Sequence, residues 1–232
     1  TDHARVPDPH SHSHSFMPFL PTAITSAAAD TDRPPPEPPP SREEIRFLAD
    51  VAARPLSTTV SRYQRLHLSR RKGNAIRQSL AAAGLIEAVP IATRSGQVVL
   101  YDLTDQGRAL AESNGIDPGP PPRAGLEHRY WVARVAEHFE RQGYDITHEF
   151  HIPGDGHVDL VAEKPGEHVA IEVETGKSDI SANLDKLRGA GFDRVVFFAT
   201  SPTAAAACQR VSASAGHGAW RGIKFMSWLD IG

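Results

Sequence analysis

Apolar residues at helical and strand spacing mark residues 41–115 as a first folded segment. Ser41 and the acids after it are typical of a helix start, and Ile45, Leu48, Ala49 and Ala52 then share one helical face. The pattern predicts three helices, a β-hairpin and a last helix. They are the helix from Ser41 to Arg54-Pro55, Thr58–Leu66, Gly73–Ala83, the strands Leu85–Ile91 and Val98–Leu103, and Asp105–Ser113.

A second segment, residues 125–232, alternates helical and strand patterns. Its Arg194–Ala199 run is fully apolar, which is typical of a buried parallel strand. The predicted order is α-β-β-β-α-β-α-β, a mixed α/β fold. The elements are Glu127–Gln142, Tyr144–Phe150, His157–Glu163, Val169–Glu174, Ser178–Arg188, Arg194–Ala199, a helix from Ser201-Pro202, and Ile223–Trp228.

Proline-rich stretches separate these segments. Residues 1–40, which contain His10, His12 and His14 and end in a polyproline run, are expected to be a disordered tail and linker. Residues 116–124 are expected to be a second linker between two independent domains. Because the chain begins at Thr1 rather than at Met, we expect it to be a fragment of a longer product.

Charge differs between the two segments although the whole chain is nearly balanced, with a net charge of -3. Residues 41–115 carry 11 Lys/Arg against 7 Asp/Glu, whereas residues 123–232 carry 12 against 15. A basic half beside an acidic half suits a DNA reader next to a carboxylate site. The lone Cys208 excludes disulfides and thiolate zinc sites. No apolar run is long enough for a membrane span, and we expect a cytoplasmic protein.

Basic residues cluster around the second turn and the third helix of the first segment. The cluster comprises Arg62, Arg65, Arg70, Arg71, Lys72 and Arg77, with Arg94 at the hairpin tip. In a helix-turn-helix these regions contact the major groove and phosphates, so we expect all seven to bind DNA. A solvated basic face on a protein-interaction module is the alternative. The helix order, the hairpin and Leu103–Gly107 resemble MarR-like bacterial winged-helix regulators.

Three acids are expected to converge in the second segment. Glu172 and Glu174 share one face of a strand because side chains two apart point the same way, and Asp159 lies on the neighbouring strand. Clustered carboxylates repel one another, so they either raise a pKa or hold a divalent cation. Oxygen ligands suit Mg²⁺ or Mn²⁺, although acids on a sheet face are also often simply solvated.

From Glu127 to Ala199 the chain resembles the PD-(D/E)xK nuclease superfamily, and within it the Holliday-junction-resolvase-like branch. The resemblance implies a restriction-endonuclease-like αβββαβ core in which Glu127, Asp159 and Glu172 hold the metal. This family usually carries Lys where this chain has Glu174. Glu174 and Lys177 therefore remain alternatives for the group that handles the attacking water, beside Asp159 and Glu172 as catalytic acids.

Two functions follow as expectations. The first is a Mg²⁺-dependent DNA endonuclease that docks through its winged helix. The alternative is a catalytically inactive nuclease fold that binds DNA or protein. In that case the chain could be the C-terminal part of a larger DNA-translocating ATPase, because Glu172–Ser178 resembles a stretch found in such proteins. The sequence leaves open whether the chain forms a homodimer and which DNA it prefers.

Overall fold

The computed structural model describes residues 39–152, 156–214 and 222–231. The sequence predictions for residues 1–38, including the histidine repeat, lie outside these ranges. The chain divides into two units at Pro39, and residues 40–232 form the second of them. The helices and strands that the structure describes all lie in the second unit.

Residues 41–115 fold as three helices, a hairpin and a fourth helix. Ser41 begins the first helix with a capping box, in which its side chain and that of Glu44 satisfy each other's backbone N–H groups. The helix ends at Ala53 because Pro55 disfavours helical backbone at Arg54. The elements are α1 (Arg42–Ala53), α2 (Thr59–Arg65), α3 (Arg70–Ala82), β1 (Ile86–Thr93), β2 (Gly96–Leu103) and α4 (Asp105–Ser113).

Apolar residues from each of these elements form one hydrophobic core. Phe47 and Leu48 of α1 and Tyr101 of β2 are among its buried members. The two strands are antiparallel, with Ile86 opposite Leu103 and Thr93 opposite Gly96. The third helix begins at Arg70 rather than at Gly73 as the sequence predicts, because Ser69 caps it through the N–H of Lys72.

Residues 125–231 form a five-stranded sheet between helices. Its order is β3-β4-β5-β6-β7, antiparallel through the first three strands and parallel through the last three. This mixed α/β fold and the predicted order of its elements are confirmed. The elements are α5 (Leu126–Glu140), β3 (Asp145–Ile152), β4 (Gly156–Lys164), β5 (Glu167–Glu174), α6 (Ile180–Leu187), β6 (Arg194–Ala199), α7 (Pro202–Ser214) and β7 (Ile223–Ser227).

Each face of this sheet has its own apolar cluster. On one face α5 packs Trp131 and Phe139 against the strands. On the other, α6 and α7 pack Leu184 and Cys208 against Phe197 and its neighbours. The buried Cys208 thus behaves as a small hydrophobic residue, and burial raises the pKa of its thiol to about 11.

Residues 41–115 are called the first half below, and residues 125–232 the second half. The hairpin of the first half packs on α5 of the second half. Ile91 and Leu100, both almost fully buried, belong to the same apolar cluster as Trp131. Arg129 of α5 also donates to Asp102 of β2 at 2.9 Å. This interface was not predicted from the sequence, because the proline-rich residues 116–124 indicated two independent domains joined only by a linker.

In the part of the chain that the structure describes, no helix has the length and apolar character needed to cross a membrane.

Candidate functional site

Two glutamates of β5 lie on the face of the sheet that α6 and α7 cover. Glu172 and Glu174 alternate with Ile171 and Val173, which pack on the α5 side. The shared face of the two glutamates therefore agrees with the sequence interpretation. Both are buried, with exposures of 6% and 1%. A buried carboxylate is costly unless it is paired or hydrogen-bonded, so the partners of each glutamate indicate its role.

Asp159 lies where strands β4 and β5 separate. Their backbone pairing extends as far as Leu160 opposite Ile171. Beyond it, the Oδ2 atom of Asp159 accepts a hydrogen bond from the backbone N–H of Val173 at 2.7 Å. The pairing of β3 with β4 also skips this position, where Glu149 has a φ of 48°. The carboxylate of Asp159 thus sits at an opening in the sheet.

His128 of α5 contacts this aspartate from the other side. Its Nε2 atom lies 3.2 Å from Oδ1 of Asp159, and both side chains are about a quarter exposed. The hydrogen bond to Asp159 raises the pKa of His128. Burial opposes ionisation of Asp159, but the hydrogen bond and charge of His128 and the hydrogen bonds of Val173 and Glu172 together outweigh it, so the pKa of Asp159 is lowered. The pair is therefore polar, ionisable and reachable from solvent.

Lys186 of α6 contacts Glu172. Its Nζ atom donates to Oε1 of Glu172 at 2.7 Å and to the carbonyl oxygen of His157 at 2.5 Å. Burial, followed by the charge of Asp159, raises the pKa of Glu172 to about 7, although Lys186 acts in the opposite direction. Glu172, Asp159, His128 and Lys186 form what we call the acid cluster. Its two carboxylates repel each other, and a lysine compensates one of them.

Glu174 is turned toward α6 and has both oxygens occupied. Asn183 donates to Oε1 at 3.0 Å, and the hydroxyl of Ser178 donates to Oε2. The helix begins at Ile180, two residues later than the sequence predicts, because Asp179 caps it through the N–H of Ala182. Glu174 thus anchors the start of α6 to the sheet.

Two residues predicted for the site have no contact with Asp159 or Glu172 among the interactions that the structure describes. Glu127 accepts a hydrogen bond from the hydroxyl of Thr200 at 2.8 Å, at the end of β6, whereas its neighbour His128 reaches Asp159. Lys177 is exposed and forms no ion pair with any residue that the structure describes. Lys186, not Lys177, is the lysine beside Glu172.

Within the described ranges, no group of three or more His, Cys, Asp or Glu side chains is already arranged around a common metal position. The donor set of the acid cluster nevertheless fits a hard divalent cation. Asp159 and Glu172 supply carboxylate oxygens, which Mg²⁺ and Mn²⁺ prefer, and the imidazole of His128 suits Mn²⁺ better than Mg²⁺.

Two of the arginines predicted to bind DNA have internal partners instead. Arg62 is fully buried, and its guanidinium contacts Asp50 and the carbonyl oxygen of Arg54, the latter at 2.9 Å. Its expected DNA contact is therefore wrong in this conformation, because the guanidinium is inaccessible. Burial lowers its pKa to about 10. Arg65 forms a bidentate pair with the same Asp50 at 2.7 and 2.8 Å.

The other predicted DNA contacts lie on the surface. Arg70, Arg71 and Arg94 are exposed, Arg77 is half-buried, and Lys72 is exposed but paired with Glu43. A groove of about 740 Å³ runs between α2, α3 and β2. Its polar lining includes Arg70, Asn74, Arg77 and Gln97. The exposed arginines and this groove form one candidate nucleic-acid surface.

Comparisons with known proteins identify no family. No known protein-family profile matches the chain, and no curated protein matches it. Among solved structures the chain is similar to protein VC1899 from Vibrio cholerae, with 13% identity over 82% of this chain and 55% of that one, at a TM-score of 0.32. The chain thus spans about half the length of VC1899. At this TM-score the likeness says nothing about function.

The sequence interpretation missed His128 and did not include Lys186 among the site residues. The helical spacing could have identified the lysine. Asn183 and Lys186 are three residues apart, so they share one face of α6, and each directly precedes a buried leucine, Leu184 or Leu187. For His128 no such signal exists, because Glu127 and His128 are neighbours and only the docking of α5 decides which one faces Asp159.

Proposed function

We propose that this chain is a DNA-binding protein whose second half is a divalent-metal-dependent DNA nuclease of the PD-(D/E)xK kind. The observation that carries the proposal is the acid cluster: Asp159 beside Glu172 at an opening in the sheet, with the Nζ atom of Lys186 2.7 Å from Glu172. Two acids and a lysine on adjacent elements are the groups that such a site needs.

Asp159 and Glu172 would hold the cation, with His128 as a further ligand. A bound Mg²⁺ or Mn²⁺ supplies activation of water and stabilisation of charge on the scissile phosphate. Lys186 keeps a positive charge beside Glu172 and takes the role that the family usually assigns to a lysine on the strand itself. Glu174, with both oxygens hydrogen-bonded, holds α6 and hence Lys186 in place.

The first half is proposed to be a winged-helix DNA reader. Its support is the order of three helices, a hairpin and a fourth helix, together with the exposed Arg70 and Arg71 on α3 and Arg94 at the hairpin tip. In such a domain the third helix enters the major groove while the wing contacts phosphates. The groove beside α3 offers Asn74 and Arg77 as further polar contacts.

Cleavage of supercoiled, linear and branched DNA with Mg²⁺, Mn²⁺ or EDTA tests the nuclease. We expect metal-dependent cleavage that Asp159→Asn and Glu172→Gln abolish. Lys186→Ala should lower the rate by about 10²-fold or more, whereas Lys177→Ala, the matched exposed lysine, should leave it nearly unchanged. If the two lysine variants show the reverse order, the assignment of Lys186 is wrong.

DNA affinity is tested separately by its salt dependence. Replacing Arg70, Arg71 and Arg94 by alanine should flatten the slope of log K against log salt by up to about 0.9 for each phosphate that the variant no longer neutralises. Arg42→Ala and Arg46→Ala, which remove exposed arginines of α1, serve as controls. An unchanged slope in the triple variant would exclude this surface as the DNA anchor.

A second candidate function is an inactive nuclease fold that only binds DNA. The observation that favours it is Glu174, which stands where the family usually has lysine and is buried and saturated with hydrogen bonds. DNA binding without cleavage of any substrate in Mg²⁺ or Mn²⁺ would establish this alternative.

A further inference from the structure

Two histidines face each other near the end of the β3–β4 hairpin. His151 of β3 and His157 of β4 are directly opposite in the antiparallel register, next to the pair of Ile152 and Gly156. Both histidines are exposed. Their neighbours Ile152 and Val158 pack into the cluster under α6 and α7, so alternation along the strands turns the two imidazoles to the other face of the sheet.

The separation of the two rings fits ligands of one metal ion. Their centroids are 4.8 Å apart and their planes are inclined by 61°. Metal–nitrogen distances of about 2.0–2.1 Å and a tetrahedral angle place the centroids of two ligating rings about 5 Å apart. The rings could therefore share an ion with little movement of either strand, which would keep the entropic cost of ligation low.

We propose that His151 and His157 form a binding site for a divalent transition-metal ion such as Zn²⁺, Ni²⁺ or Cu²⁺. Imidazole nitrogen suits these ions and does not suit Mg²⁺. The site is separate from the acid cluster in its ligands and in its preferred metal, and it does not depend on the nuclease proposal.

The site is an open one. Among the residues that the structure describes, no third His, Cys, Asp or Glu side chain joins the two histidines. One positively charged side chain contacts the backbone of the site: Lys186 donates to the carbonyl oxygen of His157. Its charge is compensated by Glu172, which reduces its repulsion of a bound ion.

Calorimetric titration of the full chain with Zn²⁺ tests the proposal. The background variant replaces His10, His12 and His14 by alanine, because spaced histidines can bind metal themselves. In this background, His151→Ala or His157→Ala should weaken Zn²⁺ binding on the order of 10²-fold, since the second ligand of a chelate acts at high effective concentration.

Two controls separate this site from others. His148→Ala removes an exposed histidine of the same strand, which lies opposite Leu160 rather than a histidine, and should leave Zn²⁺ binding intact. Asp159→Asn disables the acid cluster and should also leave the site intact. If His151→Ala and His157→Ala bind Zn²⁺ as tightly as His148→Ala, or if Asp159→Asn abolishes binding as they do, the proposal is wrong. Circular dichroism checks that each variant is folded.

Discussion

At the scale of single residues, the neighbours of each ionisable group decide its chemistry. In the sequence Arg62 is indistinguishable from an arginine that binds DNA. In the structure it is buried and forms an ion pair with Asp50 inside the first half. Glu172 and Glu174 have the same strand environment in sequence, yet one meets a lysine and an aspartate while the other meets only neutral donors. The tertiary partners separate these residues into structural and candidate catalytic ones.

The raised pKa of Glu172 predicts a pH-dependent stability of the metal-free protein. The folded state binds this proton more tightly than the unfolded state, because the pKa rises from 4.5 to about 7. Its stabilising contribution is therefore fully present below pH 4.5 and is lost as the pH rises through about 7. Glu172→Gln should flatten this part of the profile, measured as free energy of unfolding in urea with EDTA between pH 5 and 8.

Glu163→Gln provides the control for this measurement. Glu163 also lies in the sheet but is 55% exposed, and its replacement should keep the wild-type slope. An identical slope in wild type and Glu172→Gln would show that Glu172 titrates normally in the folded protein.

At the scale of elements, close approaches between backbones hold the first half together. Gly107 in α4 lies against the start of β1, where a Cβ atom would overlap the carbonyl oxygen of Leu85. The same region is tied by Thr104, whose hydroxyl donates to the carbonyl oxygen of Gly84 at 2.6 Å and caps α4 through the N–H of Gly107. A glycine inside a helix is here required by packing rather than by a turn.

Gly107→Ala should therefore destabilise the protein although alanine is the better helix former. Helix propensity alone favours the change by about 1 kcal/mol, whereas the clash with backbone forces α4 away from β1 and should cost more than that gain. Thermal unfolding should show a lower Tm. Gly125→Ala, where a Cβ atom meets open space, should change stability by no more than about 1 kcal/mol, as expected for a helix N-cap. A Tm of Gly107→Ala at or above wild type would contradict the close approach.

At the scale of the whole second unit, the hairpin and α5 join the two halves through a shared apolar cluster. Leu100 of β2 is fully buried in the same cluster as Trp131 of α5. The segment between the halves is also held, because Arg108 donates to the carbonyl oxygens of Pro118 and Gly119 at 3.3 and 3.0 Å. The interface orients the candidate DNA surface relative to the acid cluster.

We expect the two halves to unfold together. Leu100→Ala should lower the free energy of unfolding by about 2–5 kcal/mol, as is usual for a buried leucine. Because all three tryptophans, Trp131 among them, belong to residues 125–232, the tryptophan fluorescence reports on the second half. Its transition should shift to lower urea concentration together with the far-ultraviolet transition of the whole chain. Val60→Ala, at a position that is 65% exposed, is the control. A shift in the far-ultraviolet signal alone would mean that the halves unfold independently.

The order and type of the helices and strands follow from the sequence, because apolar periodicity, caps such as Ser41 and breakers such as Pro55 act within a few residues. The shared face of Glu172 and Glu174 follows for the same reason, since alternation along a strand is local. The sequence alone also places Asp159 on the strand that precedes them.

Only the tertiary structure decides which side chains meet. Whether Glu127 or His128 faces Asp159 depends on the rotation of α5 about its axis, which its whole apolar face sets. Lys186 rather than Lys177 reaches Glu172 because α6 folds back over the sheet and brings together residues 14 apart in sequence. Arg62 is withdrawn from solvent by the packing of α2 against α1. These contacts depend on how entire elements dock, and no short stretch of sequence contains that information.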